Sequence, residues 1–139
     1  MRSTVRVVRT LGGRAEERSL MVGIHLAGID EWAVVMHTDC GAVLAWEKIN
    51  SLVDNLARVV DGGEGGLRGR VDDSAAETLR EDLLLFKDPR SAVVAEVERI
   101  RAMPFVGPDI MIHGLVLDLS SGTLELVVDG SVQVVRTDT

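Results

Sequence analysis

The chain's only cysteine, Cys40, lies three residues after His37 in the segment WAVVMHTDCGAV (32–43), where an apolar run gives out. A thiolate and an imidazole are donor types that zinc prefers, and on a turn just past a strand end this spacing lets both face one cation. The pair is half a site, because structural zinc takes four protein ligands and catalytic zinc normally keeps three. Asp39 is next to Cys40, but its side chain points away if His37 and Cys40 converge. His25, in an apolar segment, suits a core or interface position, and His113 a structural one. A second chemistry is open to the same residues: Cys40 just ahead of a helix would feel the positive end of its dipole. An imidazolium at His37 would add to that effect, and both lower a thiol pKa towards nucleophilic reactivity. A buried, inert cysteine is the competing reading.

The surrounding pattern says what positions these residues. Val5 to Val8 (VRVV) reads as a short β-branched strand, followed by a turn at Gly12 and Gly13 and by acidic Glu16 and Glu17, which suit a helix's first turn. Arg18 to Gly28 is apolar almost all round and predicts a buried helix stopped by Gly28. Glu31 to Met36 predicts a second strand, so the first third of the chain reads as a right-handed βαβ unit with parallel strands. From Val43 to Val60, apolar residues at three- and four-residue steps predict one helix starting directly behind Cys40. A glycine-rich stretch, 62–69, reads as a linker or a lid. Helices are expected from Asp73 or Ser74 to Phe86 and from Pro89 or Ser91 to Met103. Strands are expected over Ile110–Leu119 and Thr123–Val128, joined by SSG, and a last strand, SVQVV, follows the Asp129-Gly130 turn. The expected fold is α/β, a mainly parallel central sheet flanked by helices with a C-terminal antiparallel hairpin, in a single domain over 1–139.

Composition narrows the function classes. With 139 residues, 46% hydrophobic and 27% charged, the chain can bury roughly 68% of its unfolded surface. A net charge of −7, two Trp, two Phe and no Tyr leave neither a phosphate-tracking nor a base-stacking surface, so nucleic acid is not an expected partner. No apolar run reaches membrane-spanning length, and MRSTVRVVRT lacks the apolar core of a secretory signal. With a single cysteine and hence no internal disulfide, the expected location is the cytoplasm.

Taken in order, VVRTLGG, RSL...LAG, WAVVMHTDCGAV and PFV...IHGLVLDLSSGTLELV resemble the β-class carbonic anhydrases over nearly the whole chain. HTDCGA carries the resemblance most specifically. It implies a central parallel sheet, an obligate dimer, and zinc held by two cysteines and a histidine. An aspartate, replaced by water in the active form, completes the tetrahedron, and zinc-bound hydroxide attacks carbon dioxide. His37 and Cys40 match the family's histidine and second cysteine. Arg9 matches the arginine of its arginine-asparagine-alanine-glycine element, where Thr10 and Leu11 replace the asparagine and alanine. The family's cysteine-x-aspartate-x-arginine strand precedes that element, and the residues ahead of Val5 do not supply it. The resemblance therefore implies an incomplete zinc site.

Three functions follow as expectations. One is a degenerate carbonic-anhydrase-like protein, with weak or no carbon dioxide hydration on its own and a site turned over to a small molecule or an accessory role. Another is an active zinc lyase completed by ligands from another chain, and the third a non-catalytic dimeric scaffold. The expected site lies at the C-terminal ends of the VRVV and WAVVM strands, with His37, Asp39 and Cys40 doing any chemistry and Arg9 and Thr10 holding an anion. A homodimer or higher homo-oligomer is the expected assembly.

Overall fold

The computed structural model describes residues 5–60 and 73–132. The glycine-rich stretch 62–69 and most of the expected last strand lie outside them. In chain order the elements are a 3-10 turn at Leu11–Gly13, helix α1 (Glu17–His25), strand β1 (Glu31–His37), helices α2 (Gly41–Glu47), α3 (Ile49–Val60), α4 (Asp73–Asp82) and α5 (Pro89–Arg101), and strands β2 (Met111–Leu117) and β3 (Leu124–Val128). They group into two compact units, Met1–Thr38 with Pro89–Thr139, and Asp39–Asp88.

The first unit is built on a sheet of order β1-β2-β3. β1 and β2 run parallel in continuous register from Glu31↔Met111 to His37↔Leu117, and β3 returns antiparallel, with Leu117↔Leu124 next to the hairpin. The hairpin is closed by Asp118, whose Oδ1 accepts from the Ser120 amide at 2.8 Å and hydroxyl at 2.6 Å. Gly122 takes the positive φ of 72° that the turn requires. Alternation along the strands sends Val34, Met36, Ile112 and Val116 to one face, where they are buried with Ala92, Val93, Val97 and Ile100 of α5. At Gly114 a Cβ would lie 3.2 Å from the side chains of Val93, Val97 and Val128. Glycine is what lets the helix sit this close to the middle strand.

Among the described residues one charged side chain is buried in this core. Glu96 of α5 is fully inaccessible and accepts from Arg14 Nη1 at 3.0 Å, from the Ala15 amide at 2.7 Å, and from Arg99 Nε and Nη2 at 3.0 and 2.7 Å. Arg99 Nη2 also donates to the Ala15 carbonyl at 2.7 Å. Both polar groups of the Ala15 backbone are thus satisfied by α5, which fastens the segment leading into α1. Burial alone would push the Glu96 carboxyl up, but the bonds from Arg99, Ala15 and Arg14 and the Arg99 charge outweigh it and hold the group below its usual range.

Several expectations change, one of them the helix expected to reach Phe86, which ends at Asp82 ahead of a left-handed Leu84 (φ 52°). Val5 to Val8 form no strand and their valines are exposed, so the parallel partner of β1 is β2 and the N-terminal βαβ unit is not formed. β-branched residues favour an extended backbone, but a strand exists only where a neighbouring edge pairs with it. Helix α1 buries only Leu20 and Gly23 and leaves Met21, Val22 and Leu26 exposed, since the described elements cover only one side of it. In the second unit, the single helix expected over 43–60 is two, broken at Lys48, whose φ of −100° and ψ of 28° are not helical. The break lets α3 bury Ile49, Val53 and Ala57 along one stripe. Trp46 of α2 is held by Arg80 of α4, whose guanidinium lies 3.9 Å from the ring centroid and donates to the Trp46 carbonyl.

Glu96→Ala leaves two arginines and a backbone N–H facing an emptied buried site, and we expect it to cost about 3–5 kcal/mol of stability, measured by urea denaturation. Acid should act the same way. A carboxyl depressed in the folded state stabilises fully above its ordinary value of 4.5 and loses that contribution as pH falls through the lower folded value. The urea midpoint of the native chain should therefore fall on acidification below about pH 4.5 more steeply than that of Glu96→Gln.

Candidate functional site

His37 ends β1. The ladder continues one residue beyond it, with the Thr38 amide donating to Leu117 O at 3.0 Å and Thr38 Oγ1 accepting from the Leu119 amide at 3.0 Å. These two bonds fix the backbone on which the imidazole stands. Alternation puts His37 on the sheet face opposite α5, where it shares a row with Leu117 and Leu124, beside the row of Val35, Leu115 and Leu126. The ring is half-buried, and its Nδ1 lies 2.6 Å from the Thr38 carbonyl. A carbonyl only accepts, so Nδ1 carries the proton and the lone pair of the neutral ring is on Nε2. A histidine that ligates a metal has its second nitrogen oriented by such a bond.

Asp39 and Cys40 open the second unit. Asp39 is exposed and adopts a left-handed backbone, φ 54°, a conformation Asp tolerates better than most residues. This is the residue that turns the chain from strand to helix. Cys40 is the N-cap of α2: its carbonyl accepts from the Val43 and Leu44 amides, and its Sγ accepts from the Ala42 amide at 3.5 Å. The thiol is 5% exposed.

Arg9 and Thr10 lie on an exposed segment and not at a strand end, because 5–8 form no strand. Thr10 Oγ1 donates to the Arg14 carbonyl at 2.5 Å, across the 3-10 turn. His25, expected in a core or interface, is exposed and bonds the Phe105 carbonyl through Nε2 at 2.8 Å. His113 has the structural place expected of it, between Glu31 and Gly130.

As zinc donors, His37 and Cys40 fit in kind, one with its Nδ1 already committed and the other with a donor at sulfur. The set falls short in number: among the described residues no three His, Cys, Asp or Glu side chains are grouped to hold a metal ion. Sequence reading missed the Glu96 cluster, although a signal was present. Glu96 lies on the stripe formed by Val93, Val97 and Ile100, and an acid inside an apolar stripe calls for a cationic partner.

No family model matches the chain. A protein of Bacillus subtilis (strain 168) with the name "Putative carbonic anhydrase YtiB" is 27% identical over 113 residues, which are 81% of this chain and 58% of that protein. The carbonic anhydrase structure from Streptococcus mutans is 25% identical with a TM-score of 0.61, matching 85% of this chain and 63% of its own. The carbonic anhydrase from Glaciozyma antarctica is 25% identical with a TM-score of 0.57, over 85% and 64%. This chain therefore spans about six tenths of the length of each of these proteins. Its parallel β1–β2 pair ending in histidine-x-x-cysteine, its crossover helix α5 and its antiparallel β3 are an α/β arrangement that resembles the β-class carbonic anhydrases.

Proposed function

We propose that this chain is a β-carbonic-anhydrase-like protein whose zinc site is incomplete within its own residues. On its own it hydrates carbon dioxide weakly or not at all, and the C-terminal end of its parallel strands serves a small molecule, an anion or an accessory role. The observation that carries this reading is the histidine-x-x-cysteine sequence at the end of β1, with no three metal-binding side chains grouped anywhere among the described residues. Zinc, when bound, supplies a water whose pKa drops from 15.7 to about 7. In this chain His37 would offer Nε2 and Cys40 its sulfur, and Asp39 lies between them in sequence. Arg9 is a candidate to meet an anion, with Thr10 next to it.

Zinc titration and stopped-flow hydration on the purified chain test this. We expect zinc content well below one ion per chain and a hydration rate near the uncatalysed background. Stoichiometric zinc with a rate like that of ordinary β-carbonic anhydrases would overturn it. That outcome would support a second reading, an active zinc lyase whose remaining ligands come from another chain, which the Thr38 bond favours by leaving Nε2 of His37 ready to ligate.

A Cys40-dependent enzyme is separated from both by thiol chemistry. Iodoacetamide should label the buried Cys40 far more slowly in the native chain than in urea, whereas fast native labelling would mark a nucleophile. Cys40→Ala removes the cap acceptor of α2 and should cost about 1 kcal/mol, and Cys40→Ser, which keeps an acceptor, much less.

We also propose a homo-oligomer, dimer or larger, in a cytoplasmic setting. Val35, Leu124 and Leu126 on the sheet face away from α5 are 44%, 52% and 53% exposed, and a parallel pair is ordinarily covered on both faces. No helix among the described residues is long and apolar enough to cross a membrane. Sedimentation at micromolar concentration should give a species heavier than the 15.0 kDa chain; a clean monomer would count against the assembly and favour a lone accessory domain.

A further inference from the structure

His113 joins three parts of the first unit at one point. Its Nε2 lies 3.0 Å from Glu31 Oε1 on β1, its Nδ1 lies 3.0 Å from the Gly130 amide after β3, and Asp129 Oδ1 is 3.7 Å from the same Nδ1. The ring is 17% exposed. An amide N–H only donates, so Nδ1 must be the unprotonated nitrogen, and Nε2–H then donates to Glu31. The neutral Nε2–H tautomer is the form that satisfies both bonds at once.

We propose that His113 is a proton-operated latch, which holds the Gly130 amide when neutral and, when protonated, lets that amide go and takes the Asp129 carboxylate of the same turn in its place. A proton on Nδ1 removes the acceptor of the Gly130 amide and sets two N–H donors against each other. The new N–H has an alternative partner already beside it, the Asp129 carboxylate, while Nε2–H keeps Glu31. Among the described residues, these two carboxylates are the charged groups that face the ring. Helix α5 packs on the opposite side of the sheet, against Ile112 and Gly114, and directs its buried Glu96 there. Asp129 remains ionised across the histidine range, since the Ser131 hydroxyl and amide, and the His113 charge, lower its carboxyl below the ordinary value.

The turn is seated by a second feature that makes release consequential. A Cβ at Gly130 would lie 2.4 Å from the Ile112 carbonyl oxygen, so the Gly130 backbone rests directly on β2. Among the described residues it is held in that close approach by the bond to Nδ1 and by the inner bonds of the turn, Ser131 to Asp129 and Val132 to Asp129. Losing the Nδ1 bond leaves those inner bonds intact, so the turn shifts as a unit, its Gly130 amide leaving the ring while Asp129 closes on it.

Amide exchange and a ¹⁵N-resolved pH titration of the full chain test the latch. As pH falls, we expect Gly130 amide protection to drop about five- to tenfold, the worth of one net hydrogen bond, with a midpoint that coincides with the titration of the His113 ring. His113→Asn places an amide oxygen near the Nδ1 position and carries no titrating group. It should keep Gly130 protected at both ends of the range. Constant Gly130 protection while the native His113 ring titrates would overturn the proposal, with or without a folded variant. A pH response that survives in His113→Asn would overturn it as well, by assigning the effect to Glu31 or Asp129.

Discussion

The parallel ladder between β1 and β2 is the interaction on which the rest of this structure depends. It joins segments from opposite halves of the chain, and it is in register over all seven residues of each strand. Parallel strands cannot be linked by a tight turn, so the pairing obliges a crossover, and α5 is the part of that crossover which returns to cover the sheet. The same ladder carries the end of β1 one residue past His37 to Thr38, where the bonds to Leu117 and Leu119 stop the strand. The place and tautomer of the imidazole are thus consequences of strand pairing as much as of the residues near it.

Glu96 adds a second constraint of a different kind. Apolar burial holds α5 to the sheet without direction, whereas four hydrogen bonds to one carboxylate fix where the N-terminal segment meets the helix. Placing a carboxylate there is unfavourable on desolvation alone, and it is tolerated because two guanidinium groups and an amide converge on it. Arg9 and Thr10, the residues proposed to meet an anion, lie just ahead of this anchor. Their position is set by a tether on α5 and not by a strand of their own.

Much of this could be read from residue types. Alternation in WAVVM and IMIHGLVL, the proline at the start of α5 and the Ser-Ser-Gly hairpin identify β1, α5, β2 and β3 because each signal is local. HTDCG marks the strand-to-helix turn for the same reason: an Asp able to take a left-handed backbone and a capping Cys stand together. What the sequence does not reveal depends on partners distant in the chain. VRVV has strand-forming residues but meets no edge; RSLMVGIHLAG is apolar all round yet is covered on one side; the break at Lys48 is decided by how α2 and α3 pack. The number of zinc donors that converge is likewise a property of tertiary arrangement, which spacing within one motif cannot supply.

The glycine turn at Leu11–Gly13 has a further consequence. Gly13 has a φ of 69°, and a Cβ there would lie 2.8 Å from the Val35 carbonyl oxygen. The Asp30 carbonyl and the Thr38 amide both bond towards β2, and alternation along the strand then directs the Val35 carbonyl to the opposite edge. Among the described residues no strand pairs with that edge. Unpaired strand edges invite extended segments of other molecules to add on and begin fibrillar association. Seated against the middle of this edge, the Gly13 backbone acts as a guard, interrupting the row of free acceptors at a point where no larger residue could come as near.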